Sequence, residues 1–465
     1  MEEQMKRFTT CLDEIKKLFL LPLLLLVIFI PSTQCATIHV PSNSPTVAGA
    51  IAMAADGDVV VIDNSEIYIE SVVLSKAIKL MAAPGQTPTL KYDSANPNPV
   101  SYMIYCPVPG AQAGSNEGGQ ITVDGDCDPR ISVFLGSNIN TGEVIFENIR
   151  CINGTPADQF IYPDPDPSGH GGGGSSVFTY NNIVGEAAGC DPDSRFDDMQ
   201  FPIRPDFLEG STLNLNYCTI TNAYRMCILH GGSDIPESYG NVNIHGCILT
   251  GRELAITCEP PSRPITWNVS DTVLESTISP AESDIFGTFS PWWVRSAGQV
   301  IHATRTVFLD SGKGRAFYPW WPGDNSIMTF DHCDFISPNG RPVQLGPASL
   351  PGERRLSIRN SILQTNDINT AGFTGGDALS DSDIFDNDYN NVNTGYGGLE
   401  EFFPAIKGDH DIDPAGVADY IQPVRPDYNF EYTTPVLLTG DDSGGHLGSF
   451  LRPGEPSRIT DWELY

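Results

Sequence analysis

One short pattern of alternating apolar residues recurs many times along this chain. It reads apolar, any, apolar, any, any, small or Cys, any, apolar, and its copies begin about every 30 residues, the length of one supersecondary unit. Strict alternation indicates extended chain, in which successive side chains point to opposite faces. The sequence therefore predicts a repeat protein built from short strands. The copies are VIFENIRCIN from Val144, LNLNYCTITN from Leu213, VNIHGCILTG from Val242, WNVSDTVLES from Trp267, IHATRTVFLD from Ile301, MTFDHCDFIS from Met328 and LSIRNSILQT from Leu356.

The two residues that interrupt the alternation predict a corner, and the small residue after them predicts an inward position. Like residues of successive coils would then stack at about 4.8 Å, the spacing of neighbouring strands. A unit of this length without a long amphipathic helix excludes leucine-rich, ankyrin and tetratricopeptide repeats and favours coils of three short parallel strands. A disulfide between Cys218 and Cys247 is an alternative, but parallel stacking would strain it. The predicted inward ladder is Cys218, Cys247, Thr272, Thr306, Cys333 and Ser361.

The first segment differs from the repeats. Thr46 can cap a short helix, VAGAIAMAA, which Gly57 terminates. Strands are predicted at 59–62, 72–74 and 77–82. A solenoid needs its open end covered, and this helix is placed to cover it.

Both ends of the chain resemble one fold superfamily. ATIHVPSNSPTVAGAIAMAADGDVVVI, with IYIESVVLSKAIKLMAAPG after it, resembles the opening of pectate-lyase-like (pectin lyase fold) proteins. DHDIDPAGVADYIQPVRPDYNFEYTTPVLLTGDDSGGHLGSF resembles the closing coil of secreted bacterial members. The resemblance implies an all-β, single-stranded right-handed parallel β-helix over 36–450, with an N-terminal cap at 36–58. It matches no specific enzyme family, and such folds host unrelated functions.

The N-terminus predicts a signal peptide over 1–35. LFLLPLLLLVIFI follows Lys16 and Lys17, is shorter than the roughly 20 apolar residues of a membrane-spanning helix, and leads to a cleavage site after Cys35. An uncleaved anchor and a lipoprotein are the alternatives. We expect a protein that is secreted or displayed at the cell surface, is not integral to a membrane after cleavage, and ends in a C-terminal tail at 451–465.

The charge balance restricts the partners. With 26 Lys and Arg against 58 Asp and Glu, the net charge is −32, and such a field repels nucleic acid and anionic membranes. Eleven cysteines are present, and two of them, Cys11 and Cys35, lie in the predicted leader. The odd number that remains implies at least one free thiol or a bond between chains.

Two stretches interrupt the repeat and are predicted to be long loop excursions, 154–210 and 366–412. The first is rich in Gly, Asp and Pro. Its aspartates could hold Ca²⁺, a cation that prefers oxygen ligands, although Asp-Pro runs are more often simple exposed loops. The candidate calcium ligands are Asp164, Asp166, Asp191 and Asp193.

A doubled Pro-Trp-Trp motif is the main candidate for substrate binding. The two copies precede Ile301 and Met328 by similar distances, which predicts equivalent places in consecutive coils. Aromatic faces suit the apolar faces of sugar rings, but one Trp of each pair could instead fill the core. The predicted sugar-binding residues are Trp292, Trp293, Trp320 and Trp321.

Charged residues near the same place are the catalytic candidates. A lyase needs a base and a cation that stabilises the developing charge, whereas a hydrolase needs two carboxylates. Arg295 or Arg315 could serve the first reaction, and Glu259 with Asp324 the second. His230 and Glu259 close comparable strands. Solvated surface charge is the alternative for each of them.

Three functions remain open from the sequence. The favoured one is a secreted protein that binds extracellular polysaccharide along one exposed face. A polysaccharide lyase or glycoside hydrolase acting on a plant or microbial polysaccharide is the second, and a structural or adhesive cell-surface protein is the third. No cofactor is expected beyond the calcium ion considered above.

Overall fold

The computed structural model divides the chain into two units, Met1–Ala36 and Thr37–Tyr465, and the elements below belong to the second. In some strands only the backbone is described. The described residues are 35–96, 100–154, 159–163, 175–186, 203, 210–223, 226–231, 240–252, 254–259, 265–277, 292–294, 298–319, 326–345, 354–365, 373–374, 384–388, 390–392, 396–397, 409–410, 418, 420–422, 428–432, 434–438, 441–443, 446–449 and 451.

The fold is all-β, and its strands stack in parallel in three columns. Column one runs the whole length of the described coils, each strand pairing with its counterpart in the next coil. Its strands are Thr37–Val40, Val59–Ile62, Lys79–Ala82, Gln112–Gly114, Thr141–Ile152, Ser175–Glu186, Ser211–Asn216, Gly240–His245, Ile265–Ser270, Val300–Thr304, Ser326–Asp331, Arg354–Arg359 and Ile384–Phe385.

Column two lies immediately after column one along the chain. The long strands Thr141–Ile152 and Ser175–Glu186 contribute to both columns. The remaining strands of column two are Ile67–Ile69, Thr89–Lys91, Ile121–Asp124, Thr219–Ala223, Ile248–Gly251, Val273–Ser276, Val307–Asp310, Asp334–Ile336, Ile362–Gln364 and Asn391–Val392.

Column three completes each coil. Single bridges from Ile203 to Ile161 and to Ile228 join its two halves. Its strands are Val72–Val73, Tyr102–Tyr105, Val133–Ser137, Gln159–Pro163, Met226–Gly231, Leu254–Glu259, Trp292–Val294, Arg315–Pro319, Arg341–Gln344, Phe373–Thr374 and Tyr396–Gly397. Three parallel columns fit a parallel β-solenoid.

The predicted register is confirmed. Leu213 pairs with Val242, Val242 with Trp267, and the same row continues through Ile301 to Met328. All five side chains are buried. The alternation therefore marks the inward face correctly over five consecutive coils.

The corner ladder is also confirmed. Cys218, Cys247 and Cys333 are fully buried free thiols, so no disulfide joins Cys218 to Cys247. Instead the Cys218 N–H donates to the Cys247 sulfur at 3.3 Å, and the Cys247 N–H donates to Thr272 Oγ1 at 3.3 Å. Cys247 and Thr272 thus each accept a backbone N–H from the coil before, which a larger side chain would prevent.

The core between the columns is filled by rows of aromatic side chains. Phe308 stacks on Phe335 with 4.8 Å between ring centroids, and Phe146 stacks on Tyr180 at 4.9 Å. Parallel in-register strands place like residues directly above one another, so each ring meets the next face to face or edge to face.

A short helix, Val47–Met53, precedes the second strand of column one, close to its predicted position. The Thr46 side chain accepts the Gly49 N–H at 3.1 Å, and Glu70 accepts the N–H groups of Val47 and Ala48. At the other end, Lys76 Nζ donates to the Ala52 carbonyl at 2.9 Å. Opposite charges therefore meet the two ends of the helix dipole. Among the described residues no helix is long and apolar enough to cross a bilayer.

The C-terminal part covers the outer face of column two. The antiparallel strands Tyr420–Gln422 and Asn429–Tyr432 precede a 3-10 turn, Pro435–Leu438. Tyr428, Phe430 and Leu451 pack with the column-two residues Val273, Val307, Leu309 and Ile336. Strands covered on both faces carry near-continuous apolar runs, which explains VFLD at 307–310.

The two predicted excursions are too wide. Gln159–Pro163 and Ser175–Glu186 are strands of regular columns inside 154–210, and Phe373–Thr374 and Ile384–Phe385 continue the columns inside 366–412. The Gly- and Asp-rich sequence around the first pair obscured the buried row of Phe178, Tyr180 and Ile183.

Candidate functional site

In eight consecutive coils, from Asn148 to Asn360, the corner between columns one and two is formed by one residue in the left-handed backbone region. For bulky side chains this conformation is rare and costs roughly 1–2 kcal/mol, yet Tyr217, Arg305 and His332 adopt it with φ of 55°, 43° and 51°. Such outliers point to function more often than ordinary corners do. The corner residues, in coil order, are Asn148, Asn182, Tyr217, Gly246, Asp271, Arg305, His332 and Asn360.

Four residues around this corner, Tyr217, His245, Asp271 and Arg305, form a connected group that we call the corner cluster. Its anchor is a bidentate ion pair: Arg305 Nε lies 2.7 Å from Asp271 Oδ1, and Nη2 lies 2.7 Å from Oδ2. The Asp271 side chain is 6% exposed and that of Arg305 is 41% exposed. Asp271 raises the pKa of the Arg305 guanidinium through these hydrogen bonds. The geometry fixes both groups in one orientation.

His245 links the ion pair to the phenol of Tyr217. Its Nδ1 lies 2.8 Å from Ser270 Oγ and 3.4 Å from Asp271 Oδ2. Its Nε2 lies 3.1 Å from the Tyr217 hydroxyl, and the two rings meet edge to face with centroids 5.2 Å apart. The imidazole is thus held at both nitrogens, one toward a carboxylate and one toward a phenol.

This arrangement can exchange a proton between a phenol and an imidazole at a partly exposed surface. A histidine in hydrogen-bond contact with a second acid–base group meets the geometric requirement for general acid–base catalysis. Arg305 is already neutralised by Asp271, so it is not a ready site for an added anion.

Beside the corner cluster, column one presents a row of side-chain amides on its outer face. The Asn243 amide nitrogen donates to Asn214 Oδ1 at 2.8 Å, and that of Asn268 donates to Asn243 Oδ1 at 2.8 Å. We call Asn214, Asn243 and Asn268 the amide ladder. The same register row includes Thr179 before it and His302 and Thr329 after it. Hydrogen bonds along the row hold the amides in fixed orientations, so donors and acceptors repeat at the strand spacing.

The structure corrects the interpretation of the Pro-Trp-Trp motifs. Trp292 pairs with Phe317 and Trp293 with Tyr318, so the second motif lies three residues later in its coil and is not equivalent to the first. Trp292 is fully buried, and its ring lies edge to face with that of Trp267 at 5.5 Å. Trp292 therefore fills the core and cannot stack on a sugar. The side chain of Trp293, together with Trp320 and Trp321, lies outside the described residues.

Of the predicted catalytic residues, the structure describes the side chain of Arg315, which is 9% exposed. His230 and Glu259 lie on adjacent column-three strands, one register step apart, since His230 pairs with Cys258 and Gly231 with Glu259. Their side chains lie outside the described residues, as do Arg295 and Asp324. The proposed carboxylate pair of Glu259 and Asp324 therefore stays a prediction.

The predicted calcium ligands Asp164, Asp166, Asp191 and Asp193 also lie outside the described residues. Within the residues whose positions are given, no group of three or more His, Cys, Asp or Glu side chains could hold a metal ion.

Sequence reasoning missed the corner cluster, although a signal was present. Tyr217, Asp271 and Arg305 each stand immediately before the small inward residue of a repeat, and His245 stands two residues before Cys247. Aligned by repeat, Tyr217, Asp271 and Arg305 hold equivalent corner positions, although the Asp271 side chain is only 6% exposed. The pattern does not reveal which of them touch, because that depends on side-chain length and orientation.

The chain matches no protein-family model, and no curated protein is significantly similar to it.

Proposed function

We propose that this protein is an extracellular, right-handed parallel β-helix protein of the pectin lyase fold that binds polysaccharide along the outer face of column one. The resemblance of both chain ends to that superfamily supports the handedness and the capping role of the helix Val47–Met53. The apolar run LFLLPLLLLVIFI after Lys16 and Lys17 supports export by a signal peptide cleaved after Cys35. The net charge of −32 opposes binding to the phosphate backbone of nucleic acid.

The amide ladder is the observation that carries the proposal. Asn214, Asn243 and Asn268 repeat at the strand spacing on the exterior and are oriented by their mutual hydrogen bonds. A polysaccharide chain presents hydroxyl groups at regular intervals, each of which can donate and accept. A rigid periodic row of amides meets such a ligand without losing side-chain entropy on binding. Tyr217, next to the ladder, adds an aromatic ring with a polar tip.

The test is retention of the full chain on a panel of neutral and uronate polysaccharides by affinity electrophoresis. Asn243→Ala with Asn268→Ala should weaken retention about tenfold, because each lost hydrogen bond contributes roughly 0.5–1.5 kcal/mol. The matched control is Thr89→Ala with Thr122→Ala, a register pair of polar residues in column two. Equal retention of both double variants would rule out the amide ladder as the binding face.

A polysaccharide lyase or glycoside hydrolase is the second candidate, and the corner cluster favours it. The 3.1 Å contact between the Tyr217 hydroxyl and His245 Nε2 could supply acid–base catalysis beside a bound glycan. Unsaturated ends released from the same panel would indicate a lyase, and new reducing ends alone a hydrolase. Tyr217→Phe should then abolish turnover while leaving retention nearly unchanged. If neither product forms and no polysaccharide retains the protein, the structural or adhesive role becomes the better proposal.

A further inference from the structure

Two arginines occupy one register position at the start of neighbouring column-three strands. Arg315 and Arg341 pair directly on neighbouring strands, so their backbones are separated by about the 4.8 Å strand spacing. Both guanidinium groups converge on one acceptor, Gln344. Arg315 Nε donates to Gln344 Oε1, and Arg341 Nη1 donates to the same oxygen at 2.9 Å.

Neither arginine has an ion-pair partner among the residues that the structure describes. This is unusual in a chain with 58 acidic and 26 basic residues. Arg305 and Arg130, by contrast, each hold a carboxylate at 2.7 Å or less. The nearby carboxyl of Asp310 accepts hydrogen bonds from Ser337 Oγ at 3.0 Å and from the Gly312 N–H at 3.3 Å. Two like charges thus share one neutral acceptor, which leaves a local excess of positive charge.

Arg315 is also buried with an unused donor. It is 9% exposed, and its Nη1 finds no acceptor among the residues that the structure describes. The Tyr318 ring covers the guanidinium, with Cζ 3.9 Å from the ring centroid. A buried guanidinium whose N–H groups lack acceptors is costly, and an added anion would relieve both the missing hydrogen bond and the repulsion from Arg341. Burial lowers the pKa of Arg315, and the charge of Arg341 acts in the same direction.

We propose that Arg315, Arg341 and Gln344 form a binding site for an oxyanion. One oxygen would accept a hydrogen bond from Arg315 Nη1 and a second from the Arg341 guanidinium. Because each planar guanidinium presents several N–H donors, the site favours a group with several oxygens over chloride. The bound group is either a free oxyanion or the same group carried on a glycan. This site lies on column three, away from the amide ladder, and does not depend on the proposed function.

The test uses inorganic sulfate and the full chain, with sodium chloride of equal ionic strength as the reference. Calorimetric titration should give saturable sulfate binding, and the midpoint of thermal unfolding should rise as the site fills. Millimolar sulfate avoids the general stabilisation that concentrated sulfate causes. Arg341→Gln should weaken the affinity about tenfold or more, because a charge-assisted hydrogen bond is lost. Arg341 is exposed, so this variant should fold normally.

Arg150→Gln, which removes an exposed arginine of column two, is the matched control and should bind sulfate like the unmodified protein. Absence of saturable binding, or equal binding by Arg341→Gln and Arg150→Gln, would overturn the proposal. The source of the anion is assigned by a sulfated glycan and its desulfated form. If the sulfated glycan alone is retained and free sulfate displaces it, the group is carried on a glycan. If free sulfate binds, and Arg341→Gln changes the retention of neither glycan, the site holds the free ion.

Discussion

His332 and Asp441 are 109 residues apart in the sequence, yet His332 Nε2 lies 3.2 Å from Asp441 Oδ2. The other ring nitrogen, Nδ1, lies 3.2 Å from Asp331 Oδ1. The imidazole therefore sits between one carboxylate of the coils and one of the C-terminal segment. The same segment is held by Asn360, which accepts the Asp442 N–H at its side chain and the Gly448 N–H at its carbonyl. This group joins the C-terminal segment to the corner of column one.

The attachment of the C-terminal segment should weaken as pH rises. Burial opposes the charge on His332, but Asp331 and Asp441 outweigh it and raise the pKa above 6.5. Because the His332 pKa is raised on folding, the charged imidazole stabilises the attachment fully below pH 6.5. That stabilisation is lost as the pH rises through the pKa of His332 in the folded chain. Amide exchange at Asp442 and Gly448, corrected for its intrinsic pH dependence, should accelerate across that range.

His332→Gln is the control for this prediction, since it keeps a donor but cannot titrate. The neighbouring His446 has a pKa lowered by burial, and it remains in the variant. Persistence of the full pH dependence in His332→Gln would assign the effect to another group.

Asp310→Asn should flatten the pH dependence of stability between about pH 4 and 6. Asp310 is fully buried, and burial raises its pKa from 3.8 to about 6. Across this interval the folded chain keeps a proton that the unfolded chain has released, so stability falls as pH rises. This difference in pKa between the folded and unfolded chains corresponds to a loss of about 3 kcal/mol in the free energy of unfolding. Urea unfolding of both proteins at pH 4 and pH 7 measures it. Parallel curves for the two proteins would contradict the assignment, and Asp442→Asn controls for removal of an exposed carboxylate.

The buried thiols should resist alkylation in the folded protein. Burial raises the pKa of Cys106, Cys151, Cys227 and Cys333 far above the usual range, and the thiolate is the reactive form. Peptide mass mapping after iodoacetamide treatment at pH 8 should show no adduct at these four cysteines in the folded protein and full modification of them in denaturant. Adducts on the native protein at any of the four would show that the core opens on the reaction timescale.

Trp292→Ala should reduce stability rather than abolish glycan retention. Trp292 fills the core between Trp267 and Phe308, so its removal leaves a cavity and should cost about 3–5 kcal/mol. Ile327→Ala, at a 37% exposed site, should change the free energy of unfolding by less than about 0.5 kcal/mol. Denaturant titration gives both values. A normal unfolding free energy with lost retention would instead restore the original sugar-stacking hypothesis.

The sequence predicts the structural features that depend only on residues close together along the chain. Alternation at Leu213, Val242 and Met328 predicts their shared inward row, and the small residues Cys218, Cys247 and Cys333 predict the corner. Each of these features follows from local rules, since a strand buries every second side chain and a tight corner admits a small one. The Pro-Trp-Trp comparison failed because the span from one column to the next varies in length between coils, and sequence distance then misplaces Trp320 against Trp292.

The tertiary structure alone decides which outward side chains meet. The ion pair of Asp271 with Arg305 spans 34 residues, and that of His332 with Asp441 spans 109. Arg315 and Arg341 become neighbours only through their strand register. Such contacts depend on the length of every intervening coil and on where the C-terminal segment packs, and no repeating local pattern encodes either quantity. The repeating sequence pattern therefore specifies which side chains face inward, whereas the contacts between outward-facing side chains form only once the coils are stacked.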